Sequence, residues 1–257
     1  MSGAMFDSAD AYERFIGRYG PALAEAHVAA AGVERGQFAL DVGAGTGALT
    51  AVLADVLGAP NVAAVDPSEA FVAACAARVP GADIRVGSAE ALPPFGRRFD
   101  VVLSQLVVNF VTDAEAGVRA MRAAAAPGGT VASCTWDYAE GMTLLRAFWD
   151  AALELDPGAP DEGRTMRYCT APELVGLWER AGLADIDSGE LWVEASYADF
   201  DDLWAPLPLG VGPAGAFCAG LSQERRETLR ESLWRRLGAP DGPFVLRARA
   251  WFVRGTA

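Results

Sequence analysis

The segment Ala39-Leu-Asp-Val-Gly-Ala-Gly-Thr-Gly47 constrains this chain more than any other. An apolar run, Phe38 to Val42, passes directly into a turn with glycines at 43, 45 and 47, and a helical pattern follows from Thr46 to Leu57. A strand that enters a helix through such a turn is the opening unit of a parallel, doubly wound α/β sheet. Glycine at these positions lets a ligand approach the backbone with no Cβ in the way, at a helix N-terminus whose amide N–H groups and dipole attract polar ligand groups. A cofactor site is therefore expected here.

The downstream pattern extends the same architecture. Asn61 to Asp66 reads as a second strand and Ser68 to Val79 as a helix capped by Ser68. Asp83 to Gly87 and the very apolar Phe99 to Ser104 read as a third and a fourth strand. Thr112 is the expected N-cap of an alanine-rich helix reaching Ala126, after which Pro127-Gly128-Gly129 turns the chain into a fifth strand, Thr130 to Thr135. Upstream, Pro21 to Ala31 reads as a helix.

Beyond Trp136 the rhythm changes. A helix is expected from Gly141 to Leu153, then a Pro/Gly-rich loop from Asp156 to Arg167, a crossover helix from Ala171 to Leu183 and a sixth strand from Asp185 to Val193. Tyr197 to Leu237 reads as a mostly helical insertion around a flexible Leu207 to Gly215 segment, before a last strand, Phe244 to Val253. The expected organisation is one domain over 1–257, with 137–170 and 197–242 as lid insertions that bind substrate. A length of 257 residues suits one large domain with insertions.

Composition narrows the chemistry. The formal charge of -13 repels a phosphate backbone or an anionic membrane surface, so nucleic acid and membrane are not expected partners. There is no lysine, which excludes a Walker-type phosphate loop, a Schiff base and a lysine general base. His27 is the single histidine, and Cys75, Cys134, Cys169 and Cys218 form no CxxC pair, so no metal site is expected and the thiols read as reduced packing groups. The amino terminus, Met1 to Arg14, carries Asp7, Asp10 and Glu13 and lacks the pattern of a signal peptide. No apolar run reaches the roughly 18 residues of a membrane span. A cytoplasmic protein is expected.

The GxGxG spacing, preceded by Asp41, favours S-adenosylmethionine (SAM) over a dinucleotide. A pyrophosphate wants an uncluttered helix N-terminus, whereas Asp41 can meet the cationic amino group of a methionine moiety, directly or through water. Asp66 ends the second strand, where its two oxygens can accept both ribose hydroxyls, a feature that serves NAD equally; the competing reading is a turn acid before Pro67. Gly87-Ser88-Ala89-Glu90 is placed to hold adenine through the Ser88 hydroxyl and the Ala89 amide, or it is a helix cap. Gln105, after the fourth strand, contacts cofactor or substrate, or caps the sheet.

These residues resemble the class I SAM-dependent methyltransferases, and among them the group similar to the ubiquinone and menaquinone biosynthesis enzymes. The resemblance is carried by Leu40-Asp-Val-Gly-Ala-Gly-Thr-Gly47, Ala64-Val-Asp-Pro-Ser68, Gly87-Ser-Ala-Glu-Ala-Leu-Pro93, Phe99-Asp-Val-Val102, Pro127-Gly-Gly129 and Ala132-Ser-Cys-Thr-Trp136. It implies a Rossmann-like, seven-stranded sheet whose last strand is antiparallel. It also implies cofactor contacts at Asp41, Gly43, Gly45, Asp66, Ser88 and Ala89, with Ala44, Gly47 and Pro67 inside the same two turns. Ser88 stands where the family commonly has an aspartate, so the adenine amino contact is expected to be either weaker or shared with Glu90. Tyr12-Glu-Arg-Phe-Ile-Gly-Arg-Tyr19 resembles the segment that folds over the cofactor, with Arg18 paired to the methionine carboxylate and Tyr12 toward the substrate.

Methyl transfer from a sulfonium to an oxygen, nitrogen or carbon of a small molecule demands alignment and exclusion of water more than elaborate catalytic groups. His27 is the one side chain with an ordinary pKa near neutrality, but its alanine-rich helix points to packing rather than to a catalytic base. Trp136 and Tyr138 follow the fifth strand at the carboxyl edge of the sheet and are the expected pocket-lining aromatics. An all-arginine basic complement with abundant alanine and glycine matches GC-rich bacterial sources, in which such enzymes often tailor secondary metabolites. Two other functions share this fold: a SAM-binding protein without transfer, with a cyclase or binding role, and a nicotinamide-dependent oxidoreductase, for which the usual Tyr-Lys pair is missing.

Overall fold

The computed structural model describes residues 9–257, with side chains from Tyr12 onward. Residues 1–8 of the segment read as free of a leader lie outside the described residues. The elements follow in the order α1 (Ala9–Arg14), α2 (Gly20–Ala31), β1 (Ala39–Val42), α3 (Ala48–Leu57), β2 (Val62–Asp66), α4 (Glu69–Arg78), β3 (Asp83–Val86), β4 (Phe99–Gln105), α5 (Ala114–Ala124) and β5 (Ala125–Trp136). Then come α6 (Thr143–Leu155), α7 (Glu162–Thr165), α8 (Ala171–Arg180), β6 (Ala184–Tyr197), α9 (Phe200–Trp204), α10 (Gly212–Gly220), α11 (Gln223–Arg236) and β7 (Phe244–Thr256).

The seven strands form one sheet in the order β3-β2-β1-β4-β5-β7-β6. β1 pairs in parallel with β2 and with β4, and β5 pairs antiparallel with β7. The reversed last strand agrees with the sequence reading. Because β1 lies between β2 and β4, the connections leave in opposite directions there, which opens a crevice at the carboxyl ends of those strands. Every residue of β1 and of β2 is buried, as strands covered on both faces require.

The chain divides into two compact units. One contains 20–136, 167–191 and 250–257; the other contains the residues up to Tyr19, 137–166 and 192–249. In the first, one sheet face packs Leu40, Val42, Val65, Val102 and Val131 against Val118 and Met121 of α5 and Leu174, Leu177 and Trp178 of α8. The Trp178 indole satisfies its one donor on the Val131 carbonyl at 3.0 Å. In the second unit, Phe148 and Trp149 of α6 meet Phe217 of α10 edge-on and tilted, with ring centroids 6.4 and 5.7 Å apart.

Several details differ from the sequence reading, the sixth and seventh strands among them, which run on to Tyr197 and Thr256. β5 runs through Pro127-Gly128-Gly129 instead of starting after it, because the Gly128 amide donates to the Ala257 carbonyl and the Ala257 amide donates back to Gly129. α5 is capped by Asp113, whose carboxylate accepts the Ala116 amide, and not by Thr112. The loop 156–167 contains α7, capped by Asp161. The segment 207–215 is not irregular: a 3-10 turn, Leu207–Leu209, leads into α10.

Candidate functional site

Asp41 sits near the end of β1 with none of its surface exposed. Thr50, in the first turn of α3, donates its hydroxyl to Asp41 Oδ2 at 2.7 Å and its backbone amide to the same carboxylate. Asp41 Oδ1 has no hydrogen-bond partner among the described residues. Burial pushes the carboxyl up to about 7, the Thr50 hydrogen bonds pull it back, and Asp66 adds like-charge repulsion. A buried carboxyl with one vacant oxygen is a receptor for a cationic donor, since a neighbouring ammonium would offset the cost of its ionised form.

The glycine turn between β1 and α3 has a backbone that only glycine adopts without strain. Gly43, Gly45 and Gly47 have φ of 80°, 54° and 88°. Its amides are mostly spent inside the protein: Gly43 and Ala44 donate to the Val65 carbonyl, Gly47 to the Ala44 carbonyl, and Gly45 to Asp66 Oδ2. The expected display of free amides is therefore reduced, and the turn acts chiefly by leaving room. A methyl group built on Gly43 would strike Val107 at 2.4 Å and one on Gly47 would strike Cys75 at 2.8 Å, whereas one on Gly45 meets nothing within 4 Å among the described residues. Gly45 borders the open space.

Asp66, the last residue of β2, holds that turn in place. Its Oδ2 accepts the Gly45 amide and its Oδ1 accepts the Ser68 amide, both at 2.9 Å, so Asp66 is a turn acid as well as a candidate ligand. Each carboxylate oxygen accepts more than one hydrogen bond, which leaves capacity for a vicinal diol. Burial raises its pKa while the two amides lower it. Pro67 separates it from Ser68, whose hydroxyl caps α4 through the Phe71 amide.

Ser88, Ala89 and Glu90 form a tight turn closed by a bridge between Ser88 and Ala91. No helix starts there, so the alternative role of Ser88 as a helix cap is excluded. Glu90 accepts the Asp113 amide at 3.5 Å, which ties this turn to the start of α5.

Gln105 ends β4 and donates its side-chain nitrogen to the Gly20 carbonyl at 3.3 Å. The next residue, Leu106, has φ of 63°, a left-handed conformation that costs a branched residue strain and turns the chain sharply at the sheet edge. His27 of α2 is fully buried, and burial drives its imidazole down to about 3 while the adjacent Gln105 raises it. It is a neutral interior group, as its helix pattern indicated.

The remaining expected residues are placed as follows. Trp136 ends β5 with 1% exposure. In the second unit, Tyr138 is 4% exposed and Tyr12, on α1, is half-buried. Arg18 holds both oxygens of Asp202 at 3.0 Å, donates to the Arg14 and Ser196 carbonyls, and lies over the Tyr197 ring at 4.4 Å. Four of its five N–H groups are thus engaged. Sequence reasoning missed Thr50, whose role follows only from the α3 geometry, and Glu162, which is 2% exposed and accepts the Trp149 indole N–H at 2.8 Å. Among the described residues no His, Cys, Asp and Glu cluster could hold a metal, and no helix is long and apolar enough to cross a membrane.

Asp41 with its unpartnered Oδ1, the open face of Gly45 and the carboxylate of Asp66 lie together at the carboxyl ends of β1 and β2. A family described as Methyltransferase domain matches residues 40–133. The malonyl-[acyl-carrier protein] O-methyltransferase of Geobacter sulfurreducens is 30% identical over 223 residues, 83% of this chain and 81% of that protein. The ubiquinone biosynthesis O-methyltransferase of Methylobacterium nodulans is 34% identical over 154 residues, covering 58% of this chain and 60% of that protein. The fold is shared with a candidate type II methyltransferase of Anaeromyxobacter dehalogenans (TM-score 0.63, 22% identity, 93% of this chain and 97% of that one). It is also shared with phosphoethanolamine N-methyltransferase 2 of Haemonchus contortus in complex with S-adenosylhomocysteine (TM-score 0.58, 20% identity, 96% and 57%).

Proposed function

This chain belongs to the SAM-dependent methyltransferases, and from that premise we propose that it transfers the methyl group of SAM to an oxygen, nitrogen or carbon nucleophile of a small molecule. The observation that carries the reading is the convergence of Asp41, Gly45 and Asp66 at the carboxyl ends of β1 and β2, with open space in front of Gly45. Asp41 Oδ1 suits the methionine ammonium, Asp66 the ribose hydroxyls, and the Ser88-Ala89-Glu90 turn the adenine. SAM supplies, when bound, a methyl group on a positively charged sulfur. The protein's part is to hold the cofactor and acceptor in line and exclude water, an orientation effect that accounts for on the order of 7 to 11 kcal/mol in well-aligned systems.

Trp136, Tyr138 and Tyr12 belong to this reading as acceptor-lining residues, with the regions 137–170 and 197–242 as the substrate-binding parts. The names of the similar proteins support an acceptor that is a small molecule or is carried as an acyl group. A biosynthetic role in a bacterium, including the tailoring of secondary metabolites, is consistent with the bacterial relatives and the lysine-free composition. Isothermal titration with SAM and NADH tests the reading. SAM is expected to bind and NADH is not, and Asp66→Ala is expected to remove SAM binding. NADH binding with no response to SAM overturns it.

A further inference from the structure

His27, Cys134 and Gln105 form a buried polar chain that packing alone does not account for. His27 Nδ1 lies 3.6 Å from Cys134 Sγ on β5, and Phe252 of β7 closes the ring in edge-on at 5.7 Å. The Cys134 thiol is fully buried, which pushes its pKa far up, and the Leu106 amide beside it donates to the Cys134 carbonyl at 2.8 Å. It therefore remains S–H with a proton to give, and donation of that proton to the nitrogen 3.6 Å away makes Nδ1 an acceptor. The single proton of a neutral imidazole then belongs to Nε2. Nε2 and Gln105 Oε1 are both buried and both complete no hydrogen bond of good geometry among the described residues, yet Gln105 acts on His27 as a hydrogen-bonding neighbour. They are a donor and an acceptor matched in sign.

The two ends of the Gln105 carboxamide are isosteric, so their partners choose its orientation. Gly20 offers a carbonyl and requires the nitrogen; the imidazole offers N–H and requires the oxygen. Both constraints agree. Gly20 also abuts Ala48, the first residue of α3: a Cβ built on Gly20 would lie 3.3 Å from the Ala48 Cβ. The Gln105 amide is thereby anchored beside the N-terminus of a ten-residue helix, where the dipole favours negative charge.

We propose that His27 is a positioning residue that fixes Gln105 with its oxygen inward and its NH₂ toward the α3 N-terminus, as a hydrogen-bond donor to the carboxylate of the SAM methionine moiety. This assignment rests on the methyltransferase reading.

The chain has one histidine, so ¹⁵N-histidine NMR of the intact protein reads its tautomer without ambiguity. The Nε2–H form is expected, and the Nδ1–H form overturns the assignment. Titration with SAM and with decarboxylated SAM, which lacks the carboxylate, supplies the second measurement. His27→Leu and Gln105→Leu are each expected to weaken SAM about five- to tenfold, the worth of one hydrogen bond, and to leave decarboxylated SAM unchanged. His27→Gln, which keeps a donor near the Nε2 position, is expected to restore SAM binding. Normal SAM binding by His27→Leu, or equal loss of both ligands, overturns the positioning role alone. No SAM binding by the unsubstituted protein overturns the methyltransferase reading and this assignment with it.

Discussion

Thr50 holds Asp41 by two hydrogen bonds, one from its hydroxyl and one from its amide, so the acid near the end of β1 also fastens the start of α3. The arrangement costs stability in the protein alone. An acid whose pKa is higher folded than unfolded favours unfolding as pH rises: the cost is absent below the unfolded value of about 3.9, grows through the interval up to about 7, and is constant above it. Asp41→Asn retains an acceptor for Thr50 and does not ionise. Denaturant unfolding between pH 4.5 and 8.5 should show the wild type losing stability relative to Asp41→Asn by a few kcal/mol over that interval, while the variant binds SAM at least tenfold more weakly at pH 8. A pH-independent difference would mean that Asp41 does not titrate there.

Gly43 and Gly45 should respond oppositely to alanine. At Gly43 the new methyl would lie 2.4 Å from a Val107 methyl and the backbone is left-handed, so Gly43→Ala should cost several kcal/mol of stability. Gly45→Ala pays only the left-handed penalty of about 1 to 2 kcal/mol, because its methyl meets no described atom within 4 Å. In the proposed function that methyl takes space the cofactor needs. Gly45→Ala should keep its fold by circular dichroism and lose SAM binding, and undiminished SAM affinity would remove Gly45 from the site.

The sheet and its glycine turn were legible because they rest on local signals: apolar runs of strand length, glycines where φ is positive, and Ser68 ahead of α4. What was not legible depends on partners distant in sequence. β5 extends through two glycines only because Ala257 supplies the hydrogen bonds. β6 was expected to stop at Val193 but continues to Tyr197, with Leu191, Val193, Ala195 and Tyr197 buried on alternate positions. Arg18 read as a ligand for a carboxylate, and its partner in the fold, Asp202, is a carboxylate 184 positions away that no local pattern could have named.

The Arg18–Asp202 pair yields its own test. Hydrogen bonding from Arg18 holds the Asp202 carboxyl below its ordinary pKa, so the stability it contributes is present above about pH 4 and fades as pH falls through the lowered value. The pair is bidentate but partly exposed, at 18% and 29%, so Asp202→Asn should cost about 1 kcal/mol at pH 7 and less at pH 3. Because most of its N–H groups are engaged, Arg18→Met should lower the melting temperature more clearly than it lowers SAM affinity. A large loss of affinity with an unchanged melting temperature would return Arg18 to the cofactor.

Glu162 separates a hydrogen bond from a charge. Its carboxylate accepts the indole N–H of fully buried Trp149, and no cation pairs with it among the described ion pairs, since Arg146 and Arg164 are drawn to Asp161. Burial pushes its pKa up to about 7, the Trp149 bond lowers it, and Asp161 raises it. The sign is that of Asp41: a cost that appears above the ordinary glutamate value of about 4.3 and is complete above 7. Glu162→Gln keeps an acceptor for the indole and removes the ionisation, so it should match the wild type near pH 4.5 and exceed it at pH 8.5. Glu162→Leu leaves the indole N–H buried without its acceptor and should be destabilised at both pH values, by about 1 to 3 kcal/mol. If Glu162→Gln is instead less stable at pH 8.5, the ionised carboxylate is favourable where it lies, and a positive group must reach it in solution.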